Sequence, residues 1–118
     1  MNYLMFGAVL GFLLVVIGAF GAHGLKNILS EYGTSIFNKA ILYQMFHTIA
    51  ILFLGLLNKL EPDLQLHLVG WSFLLGIILF SGSLYLLAIT DIKLLGTITP
   101  IGGLFFIIGW VLLIKNII

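Results

Sequence analysis

The chain contains no cysteine, and since all five of its basic residues are lysines it contains no arginine. Without cysteine there are no disulfides, thiolate metal sites or thiol chemistry. Without arginine there is no guanidinium fork to clamp phosphate or carboxylate in bidentate fashion. Charge of either sign is scarce: charged residues make up 8% of the 118 positions, against about 25% in an ordinary soluble domain. The formal net charge is +1, which gives no electrostatic footprint for nucleic acid. So few charges cannot clothe a water-exposed surface, so lipid must be the solvent for most of it.

What is abundant is hydrocarbon. Hydrophobic residues reach 62%, and mean hydropathy is +1.27. Apolar runs cover residues 3–22, 36–57, 68–89 and 95–114. A bilayer core about 30 Å thick takes roughly 20 helical residues at about 1.5 Å each. Four crossings thus use about 80 residues and leave only short connections. The runs are continuous rather than alternating, which favours helix over barrel. The expectation is an all-α membrane protein: one integral membrane domain over residues 1–118, four transmembrane helices in an antiparallel bundle, both termini on one side. Such a chain is multi-pass in the cell membrane. Ala19, Gly21 and Ala22 resemble a signal cleavage site, but no basic residue precedes Lys26 and the run is too long for a signal core, so a span is expected there.

Gly21, Gly24 and Gly33 bracket the first connection, Pro62 lies in the second, and Asp91 and Lys93 mark a very short third. Short links make successive helices antiparallel neighbours. In the first connection, Leu25, Ile28, Leu29 and Tyr32 follow the i, i+3, i+4, i+7 pattern of an amphipathic helix. A short interfacial helix between helices 1 and 2 is expected, with an ordered loop as the alternative. Lys26, Lys39 and Lys93 lie on the side of the first and third connections, against Lys59 and Lys115 on the other. That near balance favours the first side as cytoplasmic.

Gly7, Gly11, Gly18 and Ala22 form one stripe on the first helix, and Gly102 and Gly109 share a face of the fourth. In lipid, close approach over small residues replaces hydrophobic drive between helices. These faces either pack the bundle internally or join copies in a homo-oligomer.

The polar residues are concentrated in one leaflet. Tyr43, Gln44, His47 and Thr48 crowd one side of the second helix. His47 lies roughly 16 Å along the helix from residue 36, near the midplane. His23, Ser81, Ser83, Tyr85, Thr97 and Thr99 lie in the half nearer the first and third connections, with Pro100. Two readings follow. The groups hydrogen-bond between helices, each adding about 0.6 kcal/mol. Alternatively they line a polar crevice open to one face, with His47 and Gln44 at its floor and His23, Tyr43, Ser81, Ser83, Tyr85 and Thr99 around it. That crevice would bind a small solute, lipid headgroup or proton.

Metal binding is disfavoured, because Glu31, Glu61, Asp63 and Asp91 all lie in connections and His23 and His47 differ in depth by roughly 16 Å. No cofactor is expected. Ser81 and Ser83 lack a nucleophile-elbow setting, and no acid is placed to orient His47.

Four motifs carry a resemblance: Gly18-Ala19-Phe20-Gly21-Ala22-His23-Gly24-Leu25; Tyr43-Gln44 followed by His47; Phe80-Ser81-Gly82-Ser83-Leu84-Tyr85-Leu86; and Gly96-x-Ile98-Thr99-Pro100-Ile101-Gly102-Gly103 followed by Gly109-Trp110. In order, and over nearly the whole chain, they resemble a family of small bacterial membrane proteins of unknown function typified by YgdD and YwdK. The resemblance implies a four-helix integral membrane protein, mostly bacterial, with no established activity. The expected function is that of a small, non-enzymatic, self-associating membrane protein. The alternative is binding or translocation through the crevice around His47.

Overall fold

Inside hydrocarbon each backbone N–H and C=O must find its partner within the chain. The computed structural model, which describes residues 1–118, meets this with helix: 80 of its 96 backbone hydrogen bonds are internal to helices. The elements are α1 (Tyr3–His23), α2 (Glu31–Leu60), α3 (His67–Gly76), a π segment (Ile77–Ser81), α4 (Gly82–Thr90), a 3-10 turn (Lys93–Thr97) and α5 (Thr99–Ile117). α3, the π segment and α4 run on as one rod. With the 3-10 turn leading into α5, the chain has four helices long and apolar enough to span.

Helix ends are decided by caps. The Asn2 side chain accepts from the Met5 N–H at 3.1 Å and opens α1. The Ser30 hydroxyl accepts from the Gly33 N–H at 2.9 Å and opens α2 at Glu31, not at residue 36. Glu31 in that first turn complements the positive end of the helix. α2 therefore has 30 residues, about 45 Å of rise against a core of about 30 Å. Its polar opening turns, with Thr34, Asn38 and Lys39, reach into the interfacial layer.

The short interfacial helix expected between the first two spans does not form. Residues 24–30 make turns, with the Ile28 and Leu29 N–H groups both donating to the Leu25 carbonyl. Of the expected apolar face, Leu25 is buried and Leu29 half-buried, but Ile28 and Tyr32 are exposed. Ser30 then starts α2 before a second helical turn can be added. The connection between α4 and the 3-10 turn is a single tight reversal, with Asp91 at φ 57° and its carboxylate 2.9 Å from the Lys93 ammonium.

The spans pack in chain order: α1 on α2, α2 on the α3–π–α4 rod, and the rod on α5. Glycines set the closest approaches. A Cβ at Gly7 would strike Leu52, and those at Gly11 and Gly18 would point at Thr48 and Ile41, so the α1 stripe faces α2; beside the stripe, a Cβ at Gly21 would strike Phe37. On α5, a Cβ at Gly102 would collide with the backbone of Leu79 and Phe80, and one at Gly109 with Phe73. α5 thus crosses the π segment in backbone contact. Gly7, Gly102 and Gly109 thus make close contacts inside the chain, in line with helix association by close packing in lipid, while Gly18 stays open. Of the predicted packing set, Ala22 stays exposed at the end of α1.

Candidate functional site

α2 carries the midspan polar side chains, and helical rotation sends them in different directions. Gln44 is 3% exposed and ties three spans together. Its amide nitrogen donates to the Leu10 carbonyl on α1 at 3.2 Å, and its amide oxygen accepts from the Tyr85 hydroxyl on α4 at 2.6 Å. A helical carbonyl has a second lone pair to offer, so Leu10 accepts without losing its own helix bond. One turn away, the Ser81 hydroxyl donates to the Ala40 carbonyl at 2.8 Å. Ser81, fully buried, is the last residue of the π segment, so the contact ties that segment to α2. Ser83 and Thr99 share a hydrogen bond at 2.6 Å and join the rod to the start of α5.

His47, offset by about 60° around the helix, turns toward α5 instead. Its Nδ1 lies 2.9 Å from the Tyr43 carbonyl, and its Nε2 is 3.1 Å from the indole nitrogen of Trp110 on α5. An indole N–H only donates, so Nε2 accepts and Nδ1 carries the proton. The ring is the neutral Nδ1–H tautomer with both nitrogens engaged. It stacks on Phe106 with centroids 3.6 Å apart and planes at 9°, and meets Phe73 edge-on at 5.3 Å.

The expected crevice therefore divides. Gln44 and Tyr85 form one hydrogen-bonded unit and Ser83 and Thr99 another, while Ser81 bonds the α2 backbone. His23 is exposed at the end of α1, away from all of them. Of the predicted crevice residues, Tyr43 and His47 line one cavity together. That cavity is an apolar groove of about 780 Å³ between α2 and α5, open sideways to lipid. Phe80 and Phe106 lie at its back, Phe46 and Leu42 on the α2 side, and Gly103, Leu104, Ile107 and Trp110 on the α5 side. The polar crevice is replaced by an aromatic one because the polar groups satisfy one another between helices, and only aromatic faces remain where α2 and α5 diverge.

Trp110 was visible in the sequence only as part of a motif. Its indole N–H, placed in an apolar span, needs an acceptor, and His47 is the ring at matching depth. Thr48 is the one buried side-chain polar atom without a partner: its Oγ1 meets no donor or acceptor. No three metal-ligating side chains gather anywhere in the chain.

The sequence profile of a family described as "Protein of unknown function (DUF423)" matches residues 17–103. A UPF0382 membrane protein of Staphylococcus aureus (strain bovine RF122 / ET3-1) is 47% identical over 112 residues, covering 95% of this chain and 91% of the relative. UPF0382 membrane proteins of Staphylococcus saprophyticus and Staphylococcus epidermidis (strain ATCC 12228 / FDA PCI 1200) are 45% and 46% identical, with the same 95% of this chain covered and 92% and 91% of the relatives. No solved structure matches the chain. The chain belongs to the DUF423 family and is a small multi-pass membrane protein of a family without an assigned function.

Proposed function

We propose that this DUF423 member is a non-enzymatic membrane protein that holds one long apolar chain of a membrane lipid in the groove between α2 and α5. The groove itself carries this reading. Its volume of about 780 Å³ falls in the range of ligand pockets, about 300–1,000 Å³ lined mainly by apolar and aromatic groups. It opens to hydrocarbon, so water has no favourable place in it. Both His47 nitrogens are already taken, which leaves the Tyr43 hydroxyl as the one polar side-chain group of the lining without a partner. A flexible chain lying over the rings of Phe80 and Phe106 fills the space with dispersion contact alone. The finer likeness to YgdD and YwdK rests on the four motifs and is part of this reading.

Gly103→Leu tests it. A Cβ there stands 3.7 Å from Phe80, an ordinary contact, so the longer side chain enters the groove without forcing the helices apart. With the protein in nanodiscs containing a lipid that bears a photoreactive acyl chain, labelling should concentrate on Phe46, Leu104 and Ile107 and fall severalfold in Gly103→Leu at unchanged melting temperature. Labelling spread evenly over all lipid-facing positions would overturn the proposal. Cross-links between copies at the same positions would instead seat a neighbouring helix in the groove, the self-associating alternative.

A further inference from the structure

A second depression lies apart from that groove, between the end of α1 and the opening turns of α2, with a volume of about 300 Å³. Gly18 and Ile41 line its deeper part, and Lys26, Thr34 and Asn38 line its mouth. The deeper part is open: a Cβ at Gly18 would touch only the tip of Ile41, at 3.9 Å. The mouth is polar and unspent. The Lys26 ammonium, Thr34 hydroxyl and Asn38 amide take no hydrogen-bond partner within the chain. The chain's one ion pair is Lys93–Asp91, so Lys26 is uncompensated. Of the other charges on this side, Glu31 and Lys39 are exposed on α2 and do not line the depression.

Depth gives the arrangement its meaning. α2 exceeds the hydrocarbon thickness by about 15 Å, shared between its two ends; Thr34 precedes the apolar run that begins at residue 36 and lies in the headgroup layer, Asn38 lies at the edge of hydrocarbon, and Ile41 lies one turn inside. The depression therefore runs from the headgroup layer inward, donors at the top and a glycine-floored slot below.

From this we infer that the depression is a binding site for one anionic phospholipid, its phosphate held by Lys26, Thr34 and Asn38 and the start of an acyl chain lying over Gly18. A free anion would use only the mouth. A zwitterionic headgroup brings its own cation and gains less from Lys26. One lysine at a membrane surface is worth about a fivefold preference for anionic lipid.

The test uses the full chain extracted from vesicles of equal phosphatidylglycerol and phosphatidylcholine, with the retained lipid read by native mass spectrometry. Retained phosphatidylglycerol should exceed phosphatidylcholine about fivefold. Lys26→Gln should bring the ratio near one, while Lys59→Gln, on the opposite side, should leave it unchanged. Gly18→Leu, which fills the slot, should lower retention of both lipids. Equal loss in Lys26→Gln and Lys59→Gln would mean general surface attraction and overturn the site, as would an unchanged ratio in Lys26→Gln with an unshifted melting temperature. Displacement by excess soluble glycerol phosphate would make it a free-anion site and equally overturn the lipid assignment. Gly103→Leu, which fills the α2–α5 groove, should remove only lipid held without headgroup preference, so the Lys26-dependent excess of phosphatidylglycerol should persist or rise.

Discussion

Gln44 and His47 sit one turn apart on the same helix, at nearly the same depth, yet they do opposite things. Gln44 is sealed between α1, α2 and α4 and spends its amide on Leu10 and Tyr85. His47 is equally buried, but it forms the polar edge of an aromatic wall facing lipid. Polar groups at midspan are thus of two kinds here. One set fastens helices together. The other orients the aromatic rings that shape a groove. A three-residue step along a helix offsets a side chain by about 60° around the axis, and that offset is enough to point Gln44 at α1 and α4 and His47 at α5.

The strongest way to break both sides at once is through α5. Gly102→Leu would drive a side chain into the Leu79–Phe80 backbone, which cannot yield as a side-chain tip can. The expected cost is about 3 kcal/mol or more, at the upper end for overpacking. It is read as a large drop in detergent melting temperature, and it should also abolish groove labelling. A melting temperature within a degree of wild type would mean that α5 does not rest on the π segment.

The Gln44 side is tested next. Gln44→Leu strands the Tyr85 hydroxyl, at a cost of about 1–2 kcal/mol, and should leave groove labelling unchanged. Adding Tyr85→Phe should recover part of that loss, because the stranded hydroxyl is removed as well. A double variant whose loss is the sum of the two single losses would show that the pair is not coupled.

On the His47 side, Trp110→Phe removes the indole donor while keeping an aromatic ring. Its stability cost should be near the average of about 0.6 kcal/mol for interhelical hydrogen bonds in membranes. Groove labelling should weaken, because an unanchored His47 no longer holds its stack on Phe106. If stability falls by several kcal/mol while labelling is untouched, the contrast between fastener and wall collapses.

The smallest effect is expected at Thr48. Its unpartnered hydroxyl is a buried cost with no visible return. Thr48→Val should raise stability slightly, by up to about 1 kcal/mol. A clear loss would reveal an internal water or partner at Oγ1.

Much of this architecture is legible along the chain, for a physical reason. Hydrocarbon admits only self-satisfied backbone, so runs of apolar residues announce spans, and scarce charges announce lipid. The glycine stripes likewise announce close helix contacts, though the choice between Gly7 against Leu52 and Gly7 against another copy lies outside any one helix. Helix ends are less legible. Apolarity marks a run that begins near residue 36, whereas Ser30 starts α2 well before that. The first connection shows the limit of periodicity, because Leu25 and Leu29 keep the apolar pattern of a helix while forming only turns.

Depth and direction divide the remainder. Depth follows from counting residues at a fixed rise, so the sequence alone places His47 near the midplane and gathers the uncharged polar groups in one leaflet. Direction around each helix axis depends on which neighbours pack against it. Only the packing of α5 on the π segment decides that Trp110 meets His47 and that the space left between α2 and α5 is lined by rings, and only the packing of α4 on α2 decides that Gln44 meets Tyr85. Local chemistry sets rise and burial residue by residue, but azimuth and partner are properties of contacts between segments far apart in the chain, and those exist only once the helices have met.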